Sequence, residues 1–392
     1  MLILPEQAET AGLGIRTKKV QTRFAAAKLR QPPEKCARAK GGCCEDVVFS
    51  GPMRLKQRMA GFVRKRGLAV FVALALCLAG LAAPAFGWND EGHMAVAYLA
   101  YQHLRPETRA RVNALLKLNP YYAKWRAAIP QGATQADTDR MIFMIAATWP
   151  DQIRSDPQYV DDGLKGGNFP DGPDSSRNIG YADHFRHKYW HFIDPPYSQD
   201  GTPLPPVPIP NVETQIKAFR AALGSGASDD VKAYDLAWLE HLVGDIHQPL
   251  HAITRVSATM PEGDAGGSLL PICAAPCRDS LHLFWDRLVG SQSGIEAPTA
   301  PEDLATAMRS ATSAALALPE ADGRLTTQMN ETTWVQESFD LAKQFVYVGP
   351  IGPGAGPFTI TPAYFATAKR VAQERVALAG VRLANLLNHE LK

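Results

Sequence analysis

The stretch that most constrains this chain runs from Trp238 to Ala252, W-L-E-H-L-V-G-D-I-H-Q-P-L-H-A. It packs His241, Asp245, His247 and His251 into eleven residues. Apolar residues at helical spacing precede it (Leu236, Leu239, Leu242, Val243), so the spacing predicts a helix that carries His241 and Asp245. Four residues apart, the two lie on one helix face, one turn from each other, as two ligands of one metal must. Pro249 stops the helix, and the turned chain can bring His251 back towards the same pocket. Imidazole nitrogen with carboxylate oxygen suits zinc. A lone His-x-x-x-Asp reads more simply as an ordinary helix with solvated polar residues, so the weight falls on what the rest of the chain supplies.

The 392 residues carry a net charge of +2, but that total mixes two unlike pieces. Residues 53–87 have a signal-peptide pattern. Arg54, Lys56, Arg58, Arg64, Lys65 and Arg66 form a basic region, an apolar run follows from Leu68 to Ala83, and Ala85-Phe86-Gly87 offers a small-x-small cleavage site before Trp88. The apolar run is short for a membrane span, so cleavage and export to the periplasm or the medium are expected, with no membrane anchor left. Residues 1–52 are basic without periodicity, and Met53 could itself start a conventional signal sequence, which makes 1–52 a non-structural extension. Residues 1–87 hold 15 of the 41 Lys+Arg and 5 of the 39 Asp+Glu, leaving 26 basic against 34 acidic residues, near −8. A basic footprint for nucleic acid is thus absent, and a phosphate ligand would need local positive charge such as bound metal. Four of the six cysteines also fall before Trp88; the remaining pair, Cys273 and Cys277 in C-A-A-P-C, is expected to form a small disulfide loop in an exported chain.

Residues 88–392 are predicted to form one all-α domain. Helical periodicity covers Met94–Leu104, Pro106–Leu118, Asp137–Ala147, Val212–Leu223, Asp230–Ile246, Ser280–Val289, Pro301–Leu318, Glu331–Tyr347 and Ala363–Leu391, while alternating strand patterns are scarce. The apolar stripe of the last helix reads as core without chemistry. Two long loops, Asp156–Asp183 and Pro195–Pro210, are rich in Gly, Pro, Asp and Ser, and loops of that length tend to be functional.

Further candidate ligands follow in order. Trp88 opens W-N-D-E-G-H with His93, and after cleavage its amine and carbonyl could chelate a metal; equally, it is a hydrophobic residue that follows a signal. A-A-T-W-P-D-Q-I-R places Asp151 and Arg154 at the end of an apolar helix. D-H-F-R-H-K-Y-W-H-F-I-D supplies His184, His187, His191, Asp183 and Asp194, and spacing alone does not choose between His187 and His191. S-L-H-L-F-W-D repeats the four-residue spacing with His282 and Asp286. Eight of the ten histidines lie in these motifs. One zinc needs three or four ligands, so the set suffices for two or three ions.

In this order, the motifs W-x-x-x-G-H, A-x-W-x-D-x-x-R, H-F-I-D, H-x-x-G-D-x-H-Q-P-L-H, G-G and L-H-x-x-W-D resemble the zinc-dependent, single-strand-specific nucleases (the S-one/P-one family, in a superfamily with the zinc phospholipases C). The resemblance runs from Trp88 to Asp286. It implies a helical fold around three zinc ions. One would be held by Asp151, His191, His241 and Asp245. A second would be bridged by Asp245 and bound by His93 and the amine and carbonyl of Trp88. The third would sit on His251, His282 and Asp286. His187 and His247 then become outer or surface residues, Arg154 a phosphate contact, and Phe192 and Asp194 the groups that stack on and hydrogen-bond a base. The family's G-G-N reads Gly266-Gly267-Ser268 here, and Ser280 stands where Asn is usual, so the base preference is open.

The function implied is an exported endonuclease, expected to be a monomer, that hydrolyses single-stranded DNA or RNA, and 3′-nucleotides, to 5′-phosphate products by attack of zinc-bound hydroxide, with Arg154 and Asp245 at the reaction centre. Two alternatives stand beside it. A zinc phospholipase C would use the same core on a lipid headgroup, although that branch usually has Glu where Asp286 stands. A structural zinc protein would close each site with four protein ligands, and the third group has three.

Overall fold

The fold is built around one helix that is buried on every side. In a computed structural model, which describes residues 88–160, 184–272, 279–290 and 301–391, this helix spans Asp229–Asp245, and every side chain from Ala233 to Asp245 is buried. Its sequence has almost no polar face over that span, so it must take the centre of a helical assembly. The other helices form a shell. They are α1 (Asp90–His103), α2 (Pro106–Leu116), α3 (Tyr122–Ala127), α4 (Gln135–Ala146), the single turn α5 (Trp149–Gln152) and α6 (Val212–Leu223). The central helix is α7; after it come α8 (Leu281–Asp286), α9 (Pro301–Leu316), α10 (Gly323–Thr326), α11 (Glu331–Leu341) and α12 (Pro362–Glu390). Helices α2 and α6 flank α7, while α1 is covered by α12, α9 and α4.

Local signals set the boundaries. The Asn89 side chain accepts from the Gly92 N–H, and Asp90 and Glu91 occupy the positive first turn of α1. Asn211 and Thr214 form a reciprocal capping box on α6. The all-α expectation holds, with one addition: Pro196–Ser198 (β1) pairs in parallel with Thr254–Val256 (β2). Pairs this short carry no alternating pattern to read. The predicted helix 280–289 is shorter, at Leu281–Asp286, and the one predicted to 347 gives way after Leu341 to a π-turn over Ala342–Val346. Asp151 does not end a continuous helix: the chain breaks after Ala146 and re-forms as α5 at Trp149-Pro150. No helix among the described residues is long and apolar enough to cross a membrane. The leader, the extension before it, Asp183 and the Cys273–Cys277 loop lie outside the described residues.

Candidate metal centre

Five separate elements converge on the C-terminal end of α7. His93 comes from α1, Asp151 from α5, His191 from a 3-10 turn (Lys188–His191), and His241 and Asp245 from α7. His251 sits in the 3-10 turn Pro249–Ala252, and His282 and Asp286 one turn apart on α8. All eight are buried. They form three groups whose ligand-type atoms lie within 4.8 Å of one another: His93, His241 and Asp245; Asp151, His191 and His241; His251, His282 and Asp286. Asp245 lies 3.3 Å from His93 through one oxygen and 3.1 Å from both His191 and His241 through the other. A single carboxylate thus faces two neighbouring groups. The close approach of α1 depends on Gly244, because a Cβ there would stand 2.9 Å from His93 Nδ1.

The donor chemistry fits bound cations. His241 Nδ1 donates to the Ala147 carbonyl, His251 Nδ1 to the His191 carbonyl and His282 Nδ1 to the Gly266 carbonyl, each at 2.7 Å. With those protons committed to the backbone, each Nε2 presents a lone pair. Two such nitrogens, on His251 and His282, face each other at 3.0 Å, an arrangement that lone pairs alone would repel and a shared cation would satisfy. Among the described residues, His191 Nε2, both His93 nitrogens, Asp245 Oδ1 and Asp286 Oδ2 are buried without a hydrogen-bond partner, an expensive state for polar atoms unless they bind an ion. The electrostatics agree. Burial pushes His191 down to about 4 and lowers His93. Burial works the same way on His241 but is overcome by Asp245 and Asp151, which push it up to about 9, so positive charge is favoured at this point. Burial raises Asp286 well above the usual carboxylate range.

Behind the ligand-type atoms sits an aromatic wall. His191 meets Trp238 edge-on at 5.4 Å, and Trp238 meets Trp190 at 5.0 Å and Trp149 at 6.0 Å. Each such contact adds about 0.5–1.5 kcal/mol beyond burial and, more usefully, fixes ring orientation. Trp88 is fully buried, and its indole N–H donates to the Gly244 carbonyl at 3.0 Å, which pins the start of the domain to α7. Gly266 is at φ +57 and close to the Leu250 carbonyl, so glycine is needed where the carbonyl that orients His282 is placed.

The proposed phosphate and base contacts border this centre. Arg154 is nearly buried, and its NH1 donates to Asp151 Oδ1 at 3.0 Å. Phe192 is half-buried against the core. Asp194 keeps an exposed edge, yet the atoms crowding its carboxyl, together with Asp264, push it up to about 7. Ser268 is half-buried, and its hydroxyl has no partner among the described residues.

For His187 and His247, expected as outer or surface residues, burial excludes the surface alternative: both are fully buried. His187 sits at φ +45 just before the 3-10 turn and stacks on Trp190 at 3.6 Å, so it and His191 never share a helical face. His247 is tied into the helices behind the centre. The sequence reading also passed over two residues. Gln248 donates to Asp286 Oδ1 at 2.7 Å and accepts from the Leu250 N–H, which leaves Asp286 Oδ2 aimed at the third group; its place beside His247 and His251 in H-Q-P-L-H was the available signal. Asp90, two residues beyond Trp88, is pushed up to about 7 by burial and by Asp151.

Fold and site thus define a helical protein with a buried, multi-group histidine–aspartate centre suited to divalent metal. A family profile described as S1/P1 Nuclease matches residues 88–392, and the chain belongs to that family of nucleases, hydrolases of phosphodiester bonds that are in general zinc-dependent. It is similar to Endonuclease 3 of Arabidopsis thaliana, 27% identical over 335 residues, covering 82% of this chain and 95% of that protein. Endonuclease 4 of the same plant is also 27% identical, over 339 residues with the same coverage. Endonuclease 5 is 24% identical over 335 residues, or 82% of this chain and 96% of that protein.

Proposed function

We propose that this nuclease is exported, begins at Trp88 after leader removal, binds three zinc ions and cleaves single-stranded DNA, RNA and 3′-nucleotides to 5′-phosphate products. The facing Nε2 atoms of His251 and His282, 3.0 Å apart with both protons engaged elsewhere, carry the metal part of this reading. Zinc, when bound, supplies charge neutralisation and acidifies a water to about 7. Asp151, His191, His241 and Asp245 would hold one ion, Asp245, His93 and the Trp88 amine and carbonyl a second, and His251, His282 and Asp286 a third.

The chain's own residues do the rest. Arg154, steadied by Asp151, places a guanidinium at the edge of the same groups, where its planar donors suit a phosphate oxygen. In the reaction, a water oxygen bonds to phosphorus, the P–O3′ bond breaks, and the proton that the water gives up is balanced by one taken up at the leaving O3′. Phe192 would receive an unstacked base, which a duplex withholds. Asp194 would bond that base's edge, with Ser268 beside it.

The test is a side-by-side assay. Protein beginning at Trp88 is analysed for zinc and given single-stranded DNA, duplex DNA and phosphatidylcholine micelles. Near three zinc per chain with single-strand cleavage to 5′-phosphates is expected. Lipid turnover without nucleic-acid cleavage would overturn the substrate assignment. Arg154→Ala should lower kcat roughly 100-fold with zinc content unchanged.

A further inference from the structure

Helix α7 ends where the chemistry begins, and its terminal carbonyls are satisfied one by one. Leu242 accepts from the Ile246 N–H, and Val243 accepts from His247 Nδ1 at 2.7 Å. Gly244 accepts from the His247 N–H and the Trp88 indole, and Asp245 from the Gln248 N–H. Beyond the helix, Ile246 accepts from the Ser338 hydroxyl at 2.6 Å and His247 from Arg375 Nε at 3.2 Å. A helix C-terminus leaves such carbonyls without intrahelical partners; here His247, the Trp88 indole and the following backbone serve the helix, and side chains of α11 and α12 serve the turn after it.

Those side chains form an ionic assembly in which the arginines are buried and Glu337 is half-buried. Arg382 forks onto Glu337, with NH1 at 2.7 Å from Oε2 and NH2 at 2.8 Å from Oε1, and NH1 also donates to His247 Nε2 at 2.9 Å. Arg375 donates to the same Glu337 at 2.9 Å and to Ser338 Oγ at 3.1 Å. Arg382 is fully buried and lies over the Trp334 ring at 5.3 Å. Two arginines served by one glutamate is a costly thing to bury, and an apolar core would hold two helices together as well. Their positive charge sits at the negative end of α7, a favourable place for it.

We infer that Arg382, Glu337, Arg375 and Ser338 are positioning residues for the metal centre, acting through His247 and the turn that follows α7. That turn sets three things at once. Asp245, the last residue of α7, faces two of the groups; Gln248 orients Asp286; His251 belongs to the third group. A shift of this one turn therefore disturbs all three groups together, although none of the four residues touches a ligand-type side chain of the groups. His247 is the coupling piece. Its Nδ1 proton is fixed on the Val243 carbonyl while Nε2 accepts from Arg382. The inference rests on the reading of these groups as a metal centre, and it holds for any substrate.

The test uses the metal-loaded protein beginning at Trp88 and the variants Ser338→Ala, Arg382→Met and Arg382→Lys. Metal release to a chelator, the visible absorption band of the cobalt(II)-substituted protein, and kcat and KM are read for each. Ser338→Ala and Arg382→Met should release metal about ten-fold faster, shift the cobalt band and lower kcat with KM unchanged. Arg382→Lys, which keeps a donor for His247, should recover part of each change. Wild-type release rates and cobalt bands in Ser338→Ala and Arg382→Met, whatever their melting temperatures, would reduce the assembly to a fold element and overturn the inference. Altered release and bands in a protein that cleaves no nucleic acid would uphold it while removing the nuclease substrate.

Discussion

The metal side and the base side of this site are neighbours in sequence, yet they are built differently. His191 and Asp194 are three residues apart. His191 is fully buried, set edge-on against Trp238 and bonded to Asp245 at 3.1 Å. Asp194 has an exposed edge, with only burial and Asp264 acting on it. Around the metal groups, His241, His251 and His282 each spend one nitrogen on a backbone carbonyl, so their orientation is set before any ligand arrives. Around Phe192, Asp194 and Ser268, the groups are half-buried and the Ser268 hydroxyl has no described partner. Chemistry that depends on metal geometry tolerates little movement, whereas a surface that must accept different bases gains from loosely held groups. The difference teaches that rate and selectivity should separate on mutation.

That separation can be broken or sharpened by four substitutions, the largest effect first. His241→Ala removes a nitrogen shared by two groups, so zinc analysis should show loss of metal and assays loss of nearly all turnover. Full activity with full zinc would sink the assignment of His241 as a ligand. Gln248→Leu keeps every ligand but frees Asp286; metal affinity should fall roughly 10- to 100-fold by competition with a chelator. Phe192→Ala should leave zinc content and kcat alone while raising KM on single-stranded substrate, consistent with about 1–3 kcal/mol per stacked base. A fall in kcat without a change in KM would place Phe192 on the metal side of the comparison instead.

The smallest effect concerns stability. The Asp194 carboxyl is held at about 7 in the folded chain against an ordinary value near 3.9 when unfolded. Between those values, the folded state binds the extra proton, so its stability falls as pH rises through the window. Asp194→Asn removes that penalty. Relative to wild type, the variant should melt at the same temperature near pH 3.5 and higher at pH 8; a constant difference at both would show that the carboxyl is not held protonated. Because Asp194 still touches solvent, a shift of only a few degrees is expected.

How much of this was legible depended on sequence distance. His241 with Asp245, and His282 with Asp286, could be paired on paper because a helix repeats every 3.6 residues, and the structure does place each pair one turn apart. His187 and His191 have the same spacing but could not be resolved, because the left-handed backbone at His187 and the 3-10 turn after it remove the helical period on which the reading relies. The stripe of α12 read as plain core, and Ala368, Ala372, Ala379, Leu383 and Leu386 are indeed buried, while Phe365 at its start is half-buried against the core. Arg375 and Arg382 broke that pattern only as charges that would normally point to water. Their burial against Glu337, and the 135 residues between His247 and Arg382, belong to no local rule.

By itself, then, the sequence determined the helical class, the motif order that matches the nuclease family and the residue types able to bind metal, because these follow from short-range periodicity and side-chain chemistry. Tertiary structure alone decided which nitrogen of each histidine faces inward, how Asp245 serves two groups, and that Gln248 reaches Asp286 across 38 residues. The physical reason is that hydrogen-bond direction and the cost of burying a charge are properties of packed surroundings, and those surroundings come from helices that meet only when the chain has folded.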